Sequence, residues 1–123
     1  MDSITVHASC VRMGRAAVLI LGASGSGKSS LALALMGMGA ELVADDRTSL
    51  RRQGNRLIAD APDSIRGRIE ARGIGILSAP AAGPTPLCLI VDLDRIEVER
   101  LPPRREMALS GVTLPVVLGP LRP

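Results

Sequence analysis

Eight consecutive residues, Gly22-Ala23-Ser24-Gly25-Ser26-Gly27-Lys28-Ser29, constrain this chain more than any other stretch. They fit the pattern G-x-x-x-x-G-K-[ST] in full. Glycines in such a loop let successive backbone N–H groups turn inward around phosphate oxygens, and the helix that follows adds its positive end. The flanks agree. Ala16–Leu21 is an apolar run that predicts a buried strand, and Lys28–Met38 carries helix formers up to Gly39. In this context Gly22–Ser29, with Ser30 beside it, reads as a cradle for the phosphates of a nucleotide. Lys28 would reach the β/γ-phosphates, and the Ser29 hydroxyl would ligate magnesium.

Composition sharpens that reading at one residue. Of 15 basic side chains, Lys28 alone is lysine and the rest are arginine. The bias toward arginine stops where a compact ammonium on a thin stem must thread into a glycine loop, a place the guanidinium fork does not fit. The net charge of +3 raises the question of nucleic acid, but the arginines are scattered and the chain has no Phe, Tyr or Trp on which a base could stack. No nucleic-acid partner is therefore expected, and phosphate contacts should dominate over base recognition. No membrane span or leader is apparent, so a cytoplasmic protein is expected. Cys10 and Cys88 are isolated and read as two buried, reduced thiols.

The 123 residues suit a single domain over 1–123. Ile4–Val11 alternates loosely and, across Met13-Gly14-Arg15, predicts a hairpin with the buried strand Ala16–Leu21. Leu42–Ala44 predicts a short strand running into Asp45-Asp46. Thr48–Arg52 and Arg56–Ala59 flank Gly54-Asn55 as a second hairpin. Ile65–Leu77 reads as a loop with one short strand, Ser78–Pro86 as a mobile loop, and Arg104-Arg105 as a solvated loop. Leu87–Leu93 and Val112–Leu118 are further strands. One helix and about seven strands give an α/β fold: a phosphate-loop kinase core with a mixed β-sheet and one main helix.

A phosphate loop also needs a carboxylate for its metal and, for transfer, a group to activate the acceptor. Leu42–Asp46 and Leu89–Asp92 each deliver carboxylates from a strand. If the strand persisted, the adjacent Asp45 and Asp46 would point to opposite sides and so divide the two tasks. Turn aspartates are the plain alternative at both places, more so at Asp92, where Asp94, Glu97 and Glu99 continue the charge.

Taken together, GASGSGKS, Val43-Ala44-Asp45-Asp46 and Ile69-Glu70-Ala71-Arg72-Gly73-Ile74-Gly75-Ile76 resemble the bacterial HPr kinase/phosphorylase family in its short form. That family combines a phosphate loop with a V/I-A-D-D segment and a signature close to I-E-[V/I]-R-G-x-G-I, and the order matches over Val6–Pro120. The resemblance implies a protein-serine kinase that uses ATP or pyrophosphate with Mg2+ to phosphorylate the small phosphocarrier HPr. It also implies phosphorylase activity in the reverse sense and a homo-oligomer, a hexamer in the family. By the same resemblance, Ser29, Asp45 and Glu70 belong to the magnesium side, and Asp46 is the general base. His7 lies near the acceptor, Arg72 belongs to the signature, and Arg100 corresponds to an arginine linked to dephosphorylation. Ala23 and Ser30 stand where the family commonly has acidic residues.

Two other classes compete. A small-molecule kinase or plain NTPase predicts an arginine-rich lid, for which Arg100–Arg105 is a poor candidate. A regulator that binds nucleotide without turnover has no need of both Asp46 and Glu70.

Overall fold

The structure, a computed structural model, describes residues 3–119. Strands β1 (Ser3–Val6) and β2 (Ala8–Met13) are separated by His7 alone, where the chain bends. The expected single strand Ile4–Val11 is thus two. Strand β2 turns at Gly14 into β3 (Ala16–Leu21), and helix α1 (Lys28–Gly37) follows the phosphate-loop sequence. Next come β4 (Glu41–Ala44), β5 (Thr48–Gln53) and β6 (Arg56–Asp60), then a 3-10 turn (Asp63–Ile65). The remaining strands are β7 (Arg68–Ala71), β8 (Gly75–Ser78), β9 (Thr85–Ile96), β10 (Arg105–Leu109) and β11 (Val112–Gly119).

The main sheet runs β1-β5-β6-β9-β3-β2-β4, with β11 joined to β9 and β10 to β11. Strands β3 and β11 are parallel to β9, and the other pairs are antiparallel. The mixed sheet with one main helix is the expected α/β fold. Its path begins with β1 and nearly ends with β2, yet one residue joins those strands, so the sheet must curl on itself. Thr48 pins the closure by donating its buried hydroxyl to the carbonyl of Ala8, 2.8 Å away.

Two apolar clusters follow from the two faces of the central strands. Cys10, Leu19, Val43, Leu50, Leu57 and Ile90 pack in one, while Val11, Val18, Ile20, Ala32, Leu42 and Ile69 pack against the helix side. Strand β3 is covered on both faces, which is why it reads as an unbroken apolar run.

Four expectations need correction. Ile65–Leu77 holds a full hairpin, with Ile69 opposite Leu77 and Glu70 opposite Ile76. Ser78–Pro86 is tied down, since Ala79 N–H donates to Gly67 C=O and Ala82 N–H to Leu42 C=O. Arg105 is no solvated residue: it opens β10 and pairs through two nitrogens with Glu97 at 3.1 and 2.9 Å, while Arg104 stays exposed. Both cysteines are free but only Cys10 is buried, and that burial pushes its thiol well above the ordinary range. Among the described residues, no helix is long and apolar enough to cross a membrane.

Candidate functional site

The curl brings the His7 bend, the loop after β3, the end of β4 and the β7–β8 hairpin around one cleft of about 860 Å³. The loop's shape follows from its small residues. A Cβ on Gly22 would stand 2.2 Å from Ser26 Oγ and 3.3 Å from Leu93 Cβ, so any larger residue would force Ser26 to shift. Gly27, at φ +101°, precedes the helix in a conformation other residues avoid. No side chain caps α1. The first intrahelical bond is donated by Leu31 N–H to Gly27 C=O, so the N–H groups of Lys28, Ser29 and Ser30 have no intrahelical acceptor and can meet an anion. Ser26 Oγ is buried without a hydrogen-bond partner.

Lys28 is 5% exposed and folds back over its own loop. Its Nζ donates to the carbonyls of Gly22 and Ala23 at 2.7 and 3.1 Å, and lies 3.8 Å from Asp46 Oδ1. Asp46 Oδ1 is also 2.7 Å from His7 Nε2, and because a carboxylate only accepts, this hydrogen bond requires the tautomer with its proton on Nε2. With that proton pointing at Asp46, the 3.5 Å approach of Lys28 Nζ to the same ring nitrogen is a contact and no hydrogen bond.

Asp45 is buried and accepts on both oxygens. Ser29 and Ser9 hydroxyls donate to Oδ1 at 2.6 and 2.8 Å, and Glu70 N–H donates to Oδ2 at 2.9 Å. The two aspartates do diverge, but the pleat is not the cause. Strand β4 ends at Ala44, and Asp45-Asp46-Arg47 is a tight turn closed by Arg47 N–H to Asp45 C=O at 2.7 Å, with Asp46 at φ +66°. Asp46 therefore stands in the open cleft while its neighbour is buried.

Of the residues singled out in sequence, Ser24, Gly25, Gly27, Lys28, Ser29, Ser30, Asp45, Asp46, Glu70 and Arg72 line the cleft. Gly22, Ala23 and Ser26 build its loop, and His7 reaches in through Asp46. Arg100 does not join them. It lies in the exposed segment between β9 and β10, and among the described residues it makes no hydrogen bond or ion pair to the cleft. Sequence reasoning missed Ser9, the rim arginines Arg47 and Arg68, and Asp94, whose carboxylate accepts Ala23 N–H at 3.0 Å. Ser9 carried a signal: a hydroxyl in an otherwise apolar run, Ala8–Val11, at a position with no exposure.

The residues suit a hard cation. Ser29 gives its one hydrogen to Asp45 and keeps its oxygen lone pairs, and the Asp45 carboxylate beside it offers oxygen only. Among the described residues no group of three or more His, Cys, Asp or Glu is placed to enclose a metal. Magnesium, which keeps several waters and shares phosphate oxygens, fits so sparse a set.

The HPr Serine kinase C-terminal domain family matches residues 1–82. The chain belongs to that family. HPr kinase/phosphorylase of Caldicellulosiruptor bescii is 35% identical over 98% of this chain and 43% of its own length. That of Caldanaerobacter subterraneus subsp. tengcongensis is 49% identical over 60% of this chain and 25% of its own. The chain thus spans less than half of the curated relatives it matches. The Hpr(Ser) kinase/phosphatase structure from Coxiella burnetii superposes with a TM-score of 0.84 at 30% identity, over 96% of this chain and 86% of that one. The curled mixed sheet with one main helix is therefore the fold of an HPr kinase catalytic domain.

Proposed function

We propose that this HPr-kinase-family chain is a protein-serine kinase that transfers a phosphoryl group from ATP or pyrophosphate to HPr or a similar small protein. The observation that carries the reading is the division of labour at Asp45-Asp46. Asp45 is buried on the Ser29 side, while Asp46 stands exposed in the cleft, 2.7 Å from His7 Nε2 and 3.8 Å from Lys28 Nζ. Lys28 and the free N–H groups at the start of α1 hold the donor phosphates. Ser29 and Asp45, with Glu70 on the facing strand, hold magnesium, which when bound offsets charge on the transferred group. Asp46 accepts the proton of the acceptor serine as its oxygen bonds to phosphorus and the bond to the leaving phosphate breaks. His7 Nε2–H orients the Asp46 carboxylate. In the reverse sense Asp46 returns that proton, and inorganic phosphate takes up the phosphoryl group as pyrophosphate.

The test is transfer of label from γ-labelled ATP, and from labelled pyrophosphate, to purified HPr, with Lys28→Ala alongside. Label on an HPr serine that disappears in Lys28→Ala is the expected result. Equal labelling by both proteins would remove the assignment.

A further inference from the structure

We infer that Ser9 is a positioning residue that ties Asp45 to Asp46 and holds the turn that separates them. The inference rests on the cleft being a phosphate-transfer site and adds a residue to it. Ser9 lies in β2 opposite Ile20 of β3, with no exposed surface. Its single hydroxyl is used in both directions. It donates to Asp45 Oδ1 at 2.8 Å and accepts Asp46 N–H at 3.0 Å. The two bonds converge on adjacent residues of a turn whose central residue, Asp46, has a φ of +66°. Such backbone is unfavourable for a residue with a side chain and persists only where its surroundings over-determine it. Ser9 is one of those surroundings.

A buried serine can also be a plain core residue that satisfies its own sheet. The buried Thr48 hydroxyl does this, bonding to the backbone of Ala8. Ser9 instead bonds the Asp45 carboxylate and the Asp46 amide, on the two residues that carry the proposed metal and proton chemistry. Asp45 Oδ1 is shared by Ser9 and Ser29, so the turn, the loop serine and β2 meet at one oxygen. With Ser9 in place, Asp46 cannot rotate toward Ser29 without breaking the bond to its own amide. Ser9 thereby keeps the general base on the acceptor side of the cleft.

The experiment compares wild type, Ser9→Ala, Ser9→Thr and Lys28→Ala. It reads amide hydrogen exchange by nuclear magnetic resonance without ligand, and calorimetric binding of pyrophosphate with and without magnesium. Ser9→Ala should speed exchange at the Asp46 amide by about tenfold and weaken magnesium-dependent pyrophosphate binding several-fold. The ladder amides of Val11 and Leu19 should stay at wild-type rates. Ser9→Thr, which keeps the hydroxyl, should restore both. Wild-type exchange and binding in Ser9→Ala overturn the assignment, and so does a general acceleration of ladder amides that threonine does not reverse. Wild-type protein that binds no magnesium pyrophosphate, or binds it as Lys28→Ala does, overturns the phosphate-site reading and this inference with it. The first two results leave that reading intact and remove Ser9 alone.

Discussion

Strand β4 leaves the sheet as Leu42-Val43-Ala44-Asp45-Asp46, and β9 carries Leu89-Ile90-Val91-Asp92 ahead of Leu93-Asp94. An apolar strand feeding carboxylates thus occurs twice. At β4, Asp45 takes hydroxyls from two other elements and an amide from a third, and Asp46 faces the open cleft beside His7 and Lys28. At β9, Asp92 takes the amide of Asp94 two residues on, and Asp94 takes the amide of Ala23. One pair is wired to side chains that can serve a ligand, the other to backbone that shapes the loop. What such a carboxylate does is decided by which groups donate to it, and at Asp45 those groups come from elsewhere in the chain, whereas at Asp92 the donor is two residues on.

The contrast is easiest to break at Asp46. On the kinase reading, Asp46→Asn cuts transfer to HPr by roughly 10²–10⁴-fold, the usual range for a general base, and leaves magnesium-pyrophosphate affinity near wild type. Single-turnover rates set beside calorimetric affinity decide it. Affinity lost together with an unchanged rate per bound complex would make Asp46 a metal ligand. Next in size, Asp45→Asn should weaken magnesium-dependent pyrophosphate binding by about ten- to a hundredfold, the worth of charge-assisted hydrogen bonds, and Asp92→Asn far less. The opposite ranking would move the metal to β9.

A smaller effect sharpens the role given to the β9 end. Gly22→Ala sets a methyl 2.2 Å from Ser26 Oγ and 3.3 Å from Leu93 Cβ, so the loop is pressed between its own serine and β9. The expected cost is about 1–3 kcal/mol, measured as a lower melting temperature. An unshifted melting curve would mean the loop has room to open. The smallest effect lies beyond β9. Arg105 holds the Glu97 carboxyl below the usual carboxylate range by hydrogen bonding, helped by the Glu99 amide. A depressed carboxylate contributes stability above its unfolded pKa of about 4.3 and loses it as pH falls through the lower folded value. Melting temperature followed from pH 7 downward should therefore fall less steeply below that range in Glu97→Gln than in wild type. Parallel curves would show the pair contributes nothing.

The strand–loop–helix unit around Gly22–Ser29 was legible because its constraints are local: glycines for backbone room, one lysine, an apolar strand before and a helix after. The hairpin around Gly54-Asn55 was legible for the same reason, with Gly54 at φ +62° in the turn. The β7–β8 hairpin was hidden because Gly67, Gly73 and Gly75 interrupt its apolar pattern and β8 is exposed along its whole length. Strand β10 was hidden because its Arg105 reads as solvent-facing until Glu97 is placed beside it. That Asp45 and Asp46 diverge was legible, but the reason for their divergence was not. A strand pleat is a local rule, whereas the observed turn depends on Ser9, which lies far away in sequence and arrives through the β2–β4 pairing. Arg100, a position carried over by likeness, lies exposed and away from the cleft.

The parallel pairing of β3 with β9 has a consequence for the order in which the molecule can assemble. Ala17 meets Leu87 and Leu21 meets Asp92, so the strand that launches the phosphate loop lacks one of its neighbours until a much later stretch of chain is in place. During synthesis, Gly22–Ser29 emerges before β9 and waits for it. Its amide at Ala23 gains the Asp94 carboxylate only when β9 docks. Contacts so distant along the chain are slow to form, because the entropy of closing the intervening loop is lost before the strand pair returns anything. A ribosome-bound nascent chain that ends before Thr85 would thus carry the whole motif and still lack the strand that braces it.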